Sequence, residues 1–144
     1  MTRYEHTQIG HTIIWSVLAI ILIVSGFARL SQREIPLVVS IILLFCLVLF
    51  YKLSITIDGE TVCASFGIGV IRKRVGLAQL VGCEPIRTRW WYGWGIHLTS
   101  CGWLYNVSGF DAVAITLRDG RKFAFGTNDP DGLTTAIRDA IRVH

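Results

Sequence analysis

No Asp, Glu, Lys or Arg interrupts the stretch Ile9 to Ala28 (IGHTIIWSVLAIILIVSGFA), and none interrupts Ile35 to Tyr51 (IPLVVSIILLFCLVLFY). That absence excludes an ion or proton pathway built on charge inside a membrane, because Ser16, Ser25, Ser40 and Cys46 are too weakly polar to mark one. The rest of the chain is equally short of catalytic signatures. It has no C-x-x-C, no H-E-x-x-H and no acidic Ca²⁺ loop. His6 and His11 flank the first apolar run, His97 stands alone and His144 is the last residue, so no metal set is expected. Gly67-Ile-Gly69 and Gly93-Trp-Gly95 open no helix, which removes a phosphate-binding loop. Ser108 and Thr116 have no evident His partner. The expectation is a protein that is not an enzyme and holds no cofactor or small-molecule substrate. Its 14 Lys and Arg against 10 Asp and Glu give a net charge of +4. That is too mild for a nucleic-acid binder.

What is present is a pair of apolar helices followed by a β-rich tail. At 1.5 Å per residue the two runs reach roughly 30 Å and 25 Å, close to the hydrocarbon thickness of a bilayer. Only Arg29 to Glu34 separates them, so they form an antiparallel hairpin. Both are apolar all round, and the 93 residues from Lys52 onward are too few to bury two such helices in a soluble core. A cleaved signal peptide competes for the first run, with Gly26-Phe-Ala28 as a weak small-x-small site. The bulky Phe27 and Leu30 and the second run that follows at once speak against cleavage. The reading is therefore a two-span transmembrane hairpin over residues 1–51 and one small domain over 52–144.

Orientation rests on a narrow balance. Arg29 and Arg33 lie in the loop, Arg3 and Lys52 on the outer flanks. Arg72, Lys73, Arg74, Arg87 and Arg89 follow in the domain. Cys63, Cys83 and Cys101 are an odd set without disulfide spacing, which suits a reducing compartment. Both features place the termini and the domain in the cytoplasm. The sequon Asn106-Val-Ser108 then has no meaning as a glycosylation site. The domain's eleven Lys and Arg against eight Asp and Glu suit a neighbour of an anionic leaflet.

Within the domain, Lys52–Ile57 alternates with period two, Asp58-Gly59 marks a tight hairpin and Thr61–Phe66 returns. Val70–Val75 reads as a third strand, Leu77–Gly82 as a fourth with Cys83–Ile86 as its exit. Ile96–Thr99, Trp103–Val107, Ala112–Leu117 and Arg121–Phe125 complete the set. At the end, Thr127, Asn128 and Asp129 offer N-caps before Pro130. Leu133, Ala136, Ile137, Ala140 and Ile141 recur at helical spacing. This order predicts an α+β fold: a pleckstrin-homology-like (PH-like) split β-barrel of about seven antiparallel strands, capped by a C-terminal amphipathic helix. A flat sheet with the helix on one face is the alternative.

Three segments carry a resemblance: Arg89-Trp-Trp-Tyr-Gly-Trp-Gly95, Gly102-Trp-Leu-Tyr-Asn-Val-Ser-Gly109 and Phe125-Gly-Thr-Asn-Asp-Pro130. With the hairpin before them, they resemble small bacterial integral membrane proteins with a PH-like domain, a group of uncharacterised function. The resemblance covers most of the chain and implies a fold and a bacterial inner-membrane location. It carries over no catalytic residue. It also stops short of inositol phosphate recognition. Phosphoinositide-binding PH domains are basic around their first turn, and here that turn is the acidic Asp58-Gly59-Glu60.

The candidate binding residues are Arg72, Arg74, Arg87, Arg89, Trp90, Trp91, Tyr92 and Trp94. Trp and Tyr suit membrane interfaces and protein hot spots, and Arg beside them meets phosphates or stacks on rings. One or two of Trp90, Trp91, Trp94 and Trp103 are expected to fill the core in either case. The competing reading is that the aromatic rings of this segment fill only the core and its rim, and that Arg72 and Arg74 are an ordinary wet strand face. The function expected is a membrane-anchored binding or scaffolding protein. It would recognise membrane lipids or a partner protein, with self-association open. An accessory subunit docking through its hairpin, and a lipid-headgroup enzyme built around His97, are the alternatives.

Overall fold

The chain starts with a strand that its own residues hardly advertise. In the computed structural model, which describes residues 4–31 and 34–144, Tyr4–Ile9 forms β1. A helical hairpin follows, α1 at His11–Ser31 and α2 at Ile35–Phe50. The next strand is β2, Lys52–Ile57. β1 and β2 pair antiparallel from Tyr4 opposite Ile57 to Ile9 opposite Lys52. The hairpin is thus an insertion between two paired strands, and the Gly10 amide donates to the Tyr51 carbonyl (2.7 Å) across its foot. The sheet draws on residues from both sides of the hairpin. The first apolar run does not begin a helix at Ile9, which instead closes β1. Arg3 and Arg33, which entered the charge balance, lie outside the described residues.

α1 is long and apolar enough to cross a membrane over His11–Leu30, and none of that stretch is buried in the protein. α2 has 16 residues and is the shorter apolar helix. Its length comes to about 24 Å. Both helices turn large apolar side chains outward, among them Leu22, Ile23, Phe27, Leu37 and Phe45.

β3 (Thr61–Phe66) and β4 (Ile71–Gly76) complete a four-stranded antiparallel sheet ordered β1-β2-β3-β4. A second sheet holds β5 (Leu80–Arg87), β6 (Gly95–Thr99), β7 (Gly102–Asn106), β8 (Asp111–Leu117) and β9 (Lys122–Gly126), in the order β5-β8-β9-β7-β6. The expectation of about seven antiparallel strands in a barrel is corrected on three points. There are nine strands among the described residues; the two sheets do not close into a barrel; and β7 pairs with β9 in parallel. The break comes at Leu77–Gln79, expected as strand. It forms a 3₁₀ turn whose Leu77 amide is taken by the Glu60 carbonyl (2.7 Å).

The core lies between the sheets. Leu53, Ile55 and Ile57 on β2 and Val62, Ala64 and Phe66 on β3 alternate inward and are buried. They meet Val113 and Ile115 of β8 and Phe123 and Phe125 of β9. The C-terminal helix α3, Pro130–Val143, buries Leu133, Ile137 and Ala140 against the same cluster and packs mainly on β5. Each large side chain so buried stabilises the fold by about 1.5–3 kcal/mol. Asp129 is the N-cap, accepting from the Gly132 amide (3.1 Å). The opposite face of the second sheet is built small: Ala112, Ala114 and Ala124 with Leu104. Those alanines let another segment lie close over them, and Tyr92 packs there.

Candidate functional site

The register defines one end of the molecule. Ile9 and Lys52 put the foot of the hairpin at the β1–β2 end. The turn after β7 comes to the same place: Gln8 Nε2 donates to the Ser108 carbonyl (2.9 Å), and the Thr12 and Ser108 hydroxyls are 3.1 Å apart. The β3–β4 turn, Gly67 to Val70, arrives there too, its Gly67 amide donating to the Lys52 carbonyl (2.8 Å). Gly67 has φ +52°, and a Cβ at that position would collide with the Val48 and Leu49 carbonyls. Only glycine lets the turn lie this close to the last turn of α2.

At this end the surface is apolar where a water-facing turn would be polar. Ile68 is 63% and Val70 69% exposed, and Phe110 is also exposed. Exposed apolar groups collected at one place mark a surface that meets membrane or another molecule. None of these three entered the sequence-based list. Gly67-Ile-Gly69 reads as a turn and Val70 as the start of the next strand, and neither reading tells that these side chains are left uncovered at the hairpin end.

The Trp-rich segment is a crossover. β5 and β6 are opposite edges of the second sheet, so residues 88–94 must travel across its outer face. They leave beside the Ser108–Phe110 turn, with the Thr88 amide donating to the Phe110 carbonyl (2.6 Å), and make a single 3₁₀ turn at Trp90–Tyr92. Gly93 (φ +64°) and Gly95 (φ +106°) bend the chain back into β6. His97 Nε2 is hydrogen-bonded to the Trp94 carbonyl, which holds that bend.

The expectation that one or two of the four tryptophans fill the core is not met. Trp90 is 73% and Trp91 56% exposed, Trp103 is exposed and Trp94 half-buried. Phenylalanines fill the core instead, Phe123 and Phe125 edge-to-face at 5.1 Å. Trp90 and Trp91 stand edge-to-face at 5.8 Å, and the Arg89 guanidinium lies 4.9 Å from the Trp91 ring centre. Trp91 and Arg89 are thereby held as one cationic aromatic unit. Arg87, Arg89 and Tyr92 line a hollow of about 350 Å³ with Thr99, Ser100 and Cys101. The Tyr92 and Ser100 hydroxyls close its floor at 3.3 Å.

The candidate residues do not form one patch. Arg87 ends β5, and Arg89, Trp90, Trp91, Tyr92 and Trp94 follow it on the crossover. Arg72 and Arg74 lie on β4, the edge of the other sheet, both exposed, with Lys73 turned inward 6.0 Å from the Phe123 ring centre. Arg72 stays near the hairpin end, its Nε donating to the Gly69 carbonyl. Arg74, on the same face but nearer the far end, lines a hollow with Asp58, Gly59 and Glu60. The Asp58 carboxyl is held below its ordinary value, chiefly by the Glu60 and Thr61 amides and then by the Thr61 hydroxyl and the Arg74 charge. Arg74 thus lies beside an acidic turn without forming an ion pair with it.

Among the described residues the only ion pair is Arg121 with Asp119 (2.7 Å), at the far end. Arg72, Arg74, Arg87 and Arg89 are all exposed and form no ion pair. No three of the described His, Cys, Asp and Glu side chains come together as a metal set. All four cysteines are unbridged, and burial raises the Cys83 thiol above its ordinary value. No family model, no curated protein and no solved structure matches this chain.

Proposed function

We propose that this protein is a membrane-anchored, non-enzymatic binding module, PH-like in its element order, that recognises anionic lipid headgroups at the surface of the bilayer that holds it. One observation carries the reading. The end of the domain from which the hairpin leaves also gathers the exposed Ile68, Val70 and Phe110, and the exposed Trp90 and Trp91 lie on the crossover that starts and ends there; the unpaired Arg72, Arg87 and Arg89 accompany them. Taken singly, exposed apolar residues and solvated arginines are ordinary on a surface in water; their position at and beside the end from which the hairpin leaves is what favours an interface. A bilayer interface receives both, aromatic and apolar groups at the headgroup level and cations on phosphate. Tethering raises the local concentration, so weak contacts suffice.

In this reading both helices cross a bacterial inner membrane. The β1–β2 pairing supports it, because a hairpin whose two ends are clamped side by side must enter and leave on one face. α2 at about 24 Å is short for a hydrocarbon layer of about 30 Å, a mismatch met by local thinning at modest cost. The basic residues and unbridged cysteines favour a cytoplasmic domain.

A second reading, a partner protein bound at the same aromatic surface, is favoured by the Arg89–Trp91 stack, a combination typical of interface hot spots. Photo-crosslinking in intact cells from a probe at position 91 separates the two. Lipid adducts that fall when Arg87 and Arg89 become Gln support the proposal. A discrete protein adduct makes the module an adaptor, and intramolecular adducts alone overturn both.

A further inference from the structure

The hairpin joins the domain without a linker. Gly10 alone separates β1 from α1, Tyr51 alone separates α2 from β2, and the two are hydrogen-bonded to each other. A Cβ on Gly10 would lie 3.0 Å from the Val107 carbonyl oxygen, and one on Gly67 would overlap the Val48 and Leu49 carbonyls. Turns of the domain are thus packed on both sides of the foot, and it has no hinge on which to swing away from the helices.

Those turns also reach past the foot. Leu53 is opposite Phe66 and Phe66 is opposite Ile71, so residues 67–70 lie wholly on the hairpin side of Leu53. Gly67 sits against the last turn of α2, ahead of Lys52. Across the foot, Ser108 meets Thr12 in the first turn of α1. The exposed Ile68 and Val70 are therefore carried beside the end of an apolar helix. Lys52 and Arg72 flank this turn, the Gly67 amide donating to the Lys52 carbonyl and Arg72 Nε to the Gly69 carbonyl. Long cationic side chains of this kind reach the phosphates from a shallowly embedded backbone.

The lengths of the helices say why such a turn is useful. Between Glu34 and Lys52 the apolar residues 35–51 measure about 25 Å, roughly 5 Å less than the hydrocarbon layer. From the shared foot α1, with 21 residues against 16, outreaches α2 by about 7 Å. Thinning of the bilayer meets part of such a mismatch. A domain on a loose linker would leave it at that. Here the domain follows the helices, and the turn it brings to the surface is apolar.

We infer that the β3–β4 turn belongs to the membrane-embedded surface and that its depth follows bilayer thickness: where the hydrocarbon layer exceeds the reach of α2, Ile68 and Val70 are drawn below the phosphates and extend the apolar span. The inference rests on the membrane reading of both helices and does not require headgroup recognition by Arg87 and Arg89. It gives that recognition a regulator, because the same movement carries the crossover, which starts beside the Ser108–Phe110 turn, toward or away from the headgroups.

The test uses the full-length protein in vesicles of phosphatidylcholine and phosphatidylglycerol with three acyl-chain lengths, giving hydrocarbon layers of about 25, 30 and 35 Å. A nitroxide-bearing residue at position 68 is read by collision with dissolved oxygen, which concentrates in hydrocarbon, and with a nickel chelate, which stays in water. The oxygen-to-nickel ratio at position 68 should rise several-fold from the thinnest bilayer to the thickest. At position 59, on the far turn, it should keep its aqueous value. Inserting four leucines between Val39 and Ser40 lengthens α2 by about 6 Å. That insertion should return the ratio in the middle bilayer to the one found in the thinnest. The thickness series needs no change to the helices and stands even where the insertion fails to fold. An aqueous ratio at position 68 in all three bilayers, or an embedded one that ignores thickness, overturns the inference. Neither result touches the headgroup reading, which the adducts from position 91 and their dependence on Arg87 and Arg89 decide. Protein that does not float with the vesicles removes the membrane reading and the inference with it.

Discussion

The turns at the two ends of the sheets do the same geometric job with opposite chemistry. At the far end, Asp58 turns β2 into β3 by accepting the Glu60 and Thr61 amides at 2.9 and 2.7 Å. Asp119 does the same between β8 and β9, accepting the Arg121 amide at 3.0 Å. These are self-contained polar turns made for water. At the hairpin end, the β3–β4 turn uses two positive-φ glycines, Gly67 and Gly69, and leaves Ile68 and Val70 uncovered. A turn that lies in water uses side-chain oxygens to satisfy its amides. The β3–β4 turn donates its Gly67 amide to the Lys52 carbonyl and presents apolar groups, whereas its neighbour at the same end, Asn106 to Gly109, is closed by the Asn106 side chain, which accepts from the Ser108 amide (3.2 Å) and donates to the Gly109 carbonyl (3.1 Å). The difference is what the proposed membrane contact at the hairpin end would favour.

That contrast can be broken most directly by one substitution made at both ends. Gly67→Ala forces a left-handed backbone on an L-residue and pushes its Cβ into the α2 carbonyls; it should cost about 2–4 kcal/mol. Gly59→Ala meets nothing within 4 Å and has no positive φ. It should change stability by less than about 0.5 kcal/mol. Urea midpoints in detergent read both, and equal midpoints would mean the hairpin foot is not packed on the turn. Next in size is the cap that ties α3 to β1, away from the hairpin. Asp129 accepts from Gly132 and from the Tyr4 hydroxyl (3.2 Å). Asp129→Ala should lose about 1–2 kcal/mol, by the same denaturation, with labelling of the hairpin by lipid probes unchanged.

Paired Ile68→Ser and Val70→Ser substitutions should move the folding midpoint by no more than about 0.5 kcal/mol. They should nevertheless raise the amide exchange rate of the β3–β4 turn in vesicles and not in detergent. An identical rise in both media would remove that turn from the membrane surface. The last expected effect is a pH dependence, confined to the alkaline limb. Burial, and then the Asp129 charge and hydrogen bond, push the Tyr4 phenol up to about 12 from an ordinary 10.0. Between these values the folded chain keeps a proton that the unfolded chain has lost, so this contribution is whole below pH 10 and fades as pH rises through about 12. Tyr4→Phe should show a shallower loss of stability than the parent across that window. Identical slopes would place Tyr4 in water.

Much of the fold was legible because much of it is periodic. Leu53, Ile55 and Ile57 announce an inward face, and α3 keeps its apolar residues at helical spacing. Asp129 was one of three cap candidates, and the geometry selects it. β1 escaped notice because Tyr-Glu-His-Thr-Gln-Ile buries a glutamine as its deepest residue. Its identity as a strand comes from β2, about fifty residues away across the hairpin. The parallel β7–β9 pair was hidden for the same reason, since adjacency across a sheet leaves no local period. The tryptophans were judged by size, and size favours burial. The small alanine face of the second sheet, however, is covered by Tyr92, and Phe66, Phe123 and Phe125 fill the main core.

Composition and period were enough to determine two apolar helices, a strand-rich domain of mild positive charge and one amphipathic closing helix, since each is written in nearest-neighbour patterns along the chain. Tertiary structure alone decided that β1 and β2 clamp the hairpin, that the sheets stay open, that Arg74 lies beside the Asp58 turn while Arg87 and Arg89 lie by the crossover, and that the Trp94 indole N–H is buried without an acceptor among the described residues. Each depends on which distant residues share a face, and burial and hydrogen bonding act on distances in space, to which the order of residues is only an indirect guide.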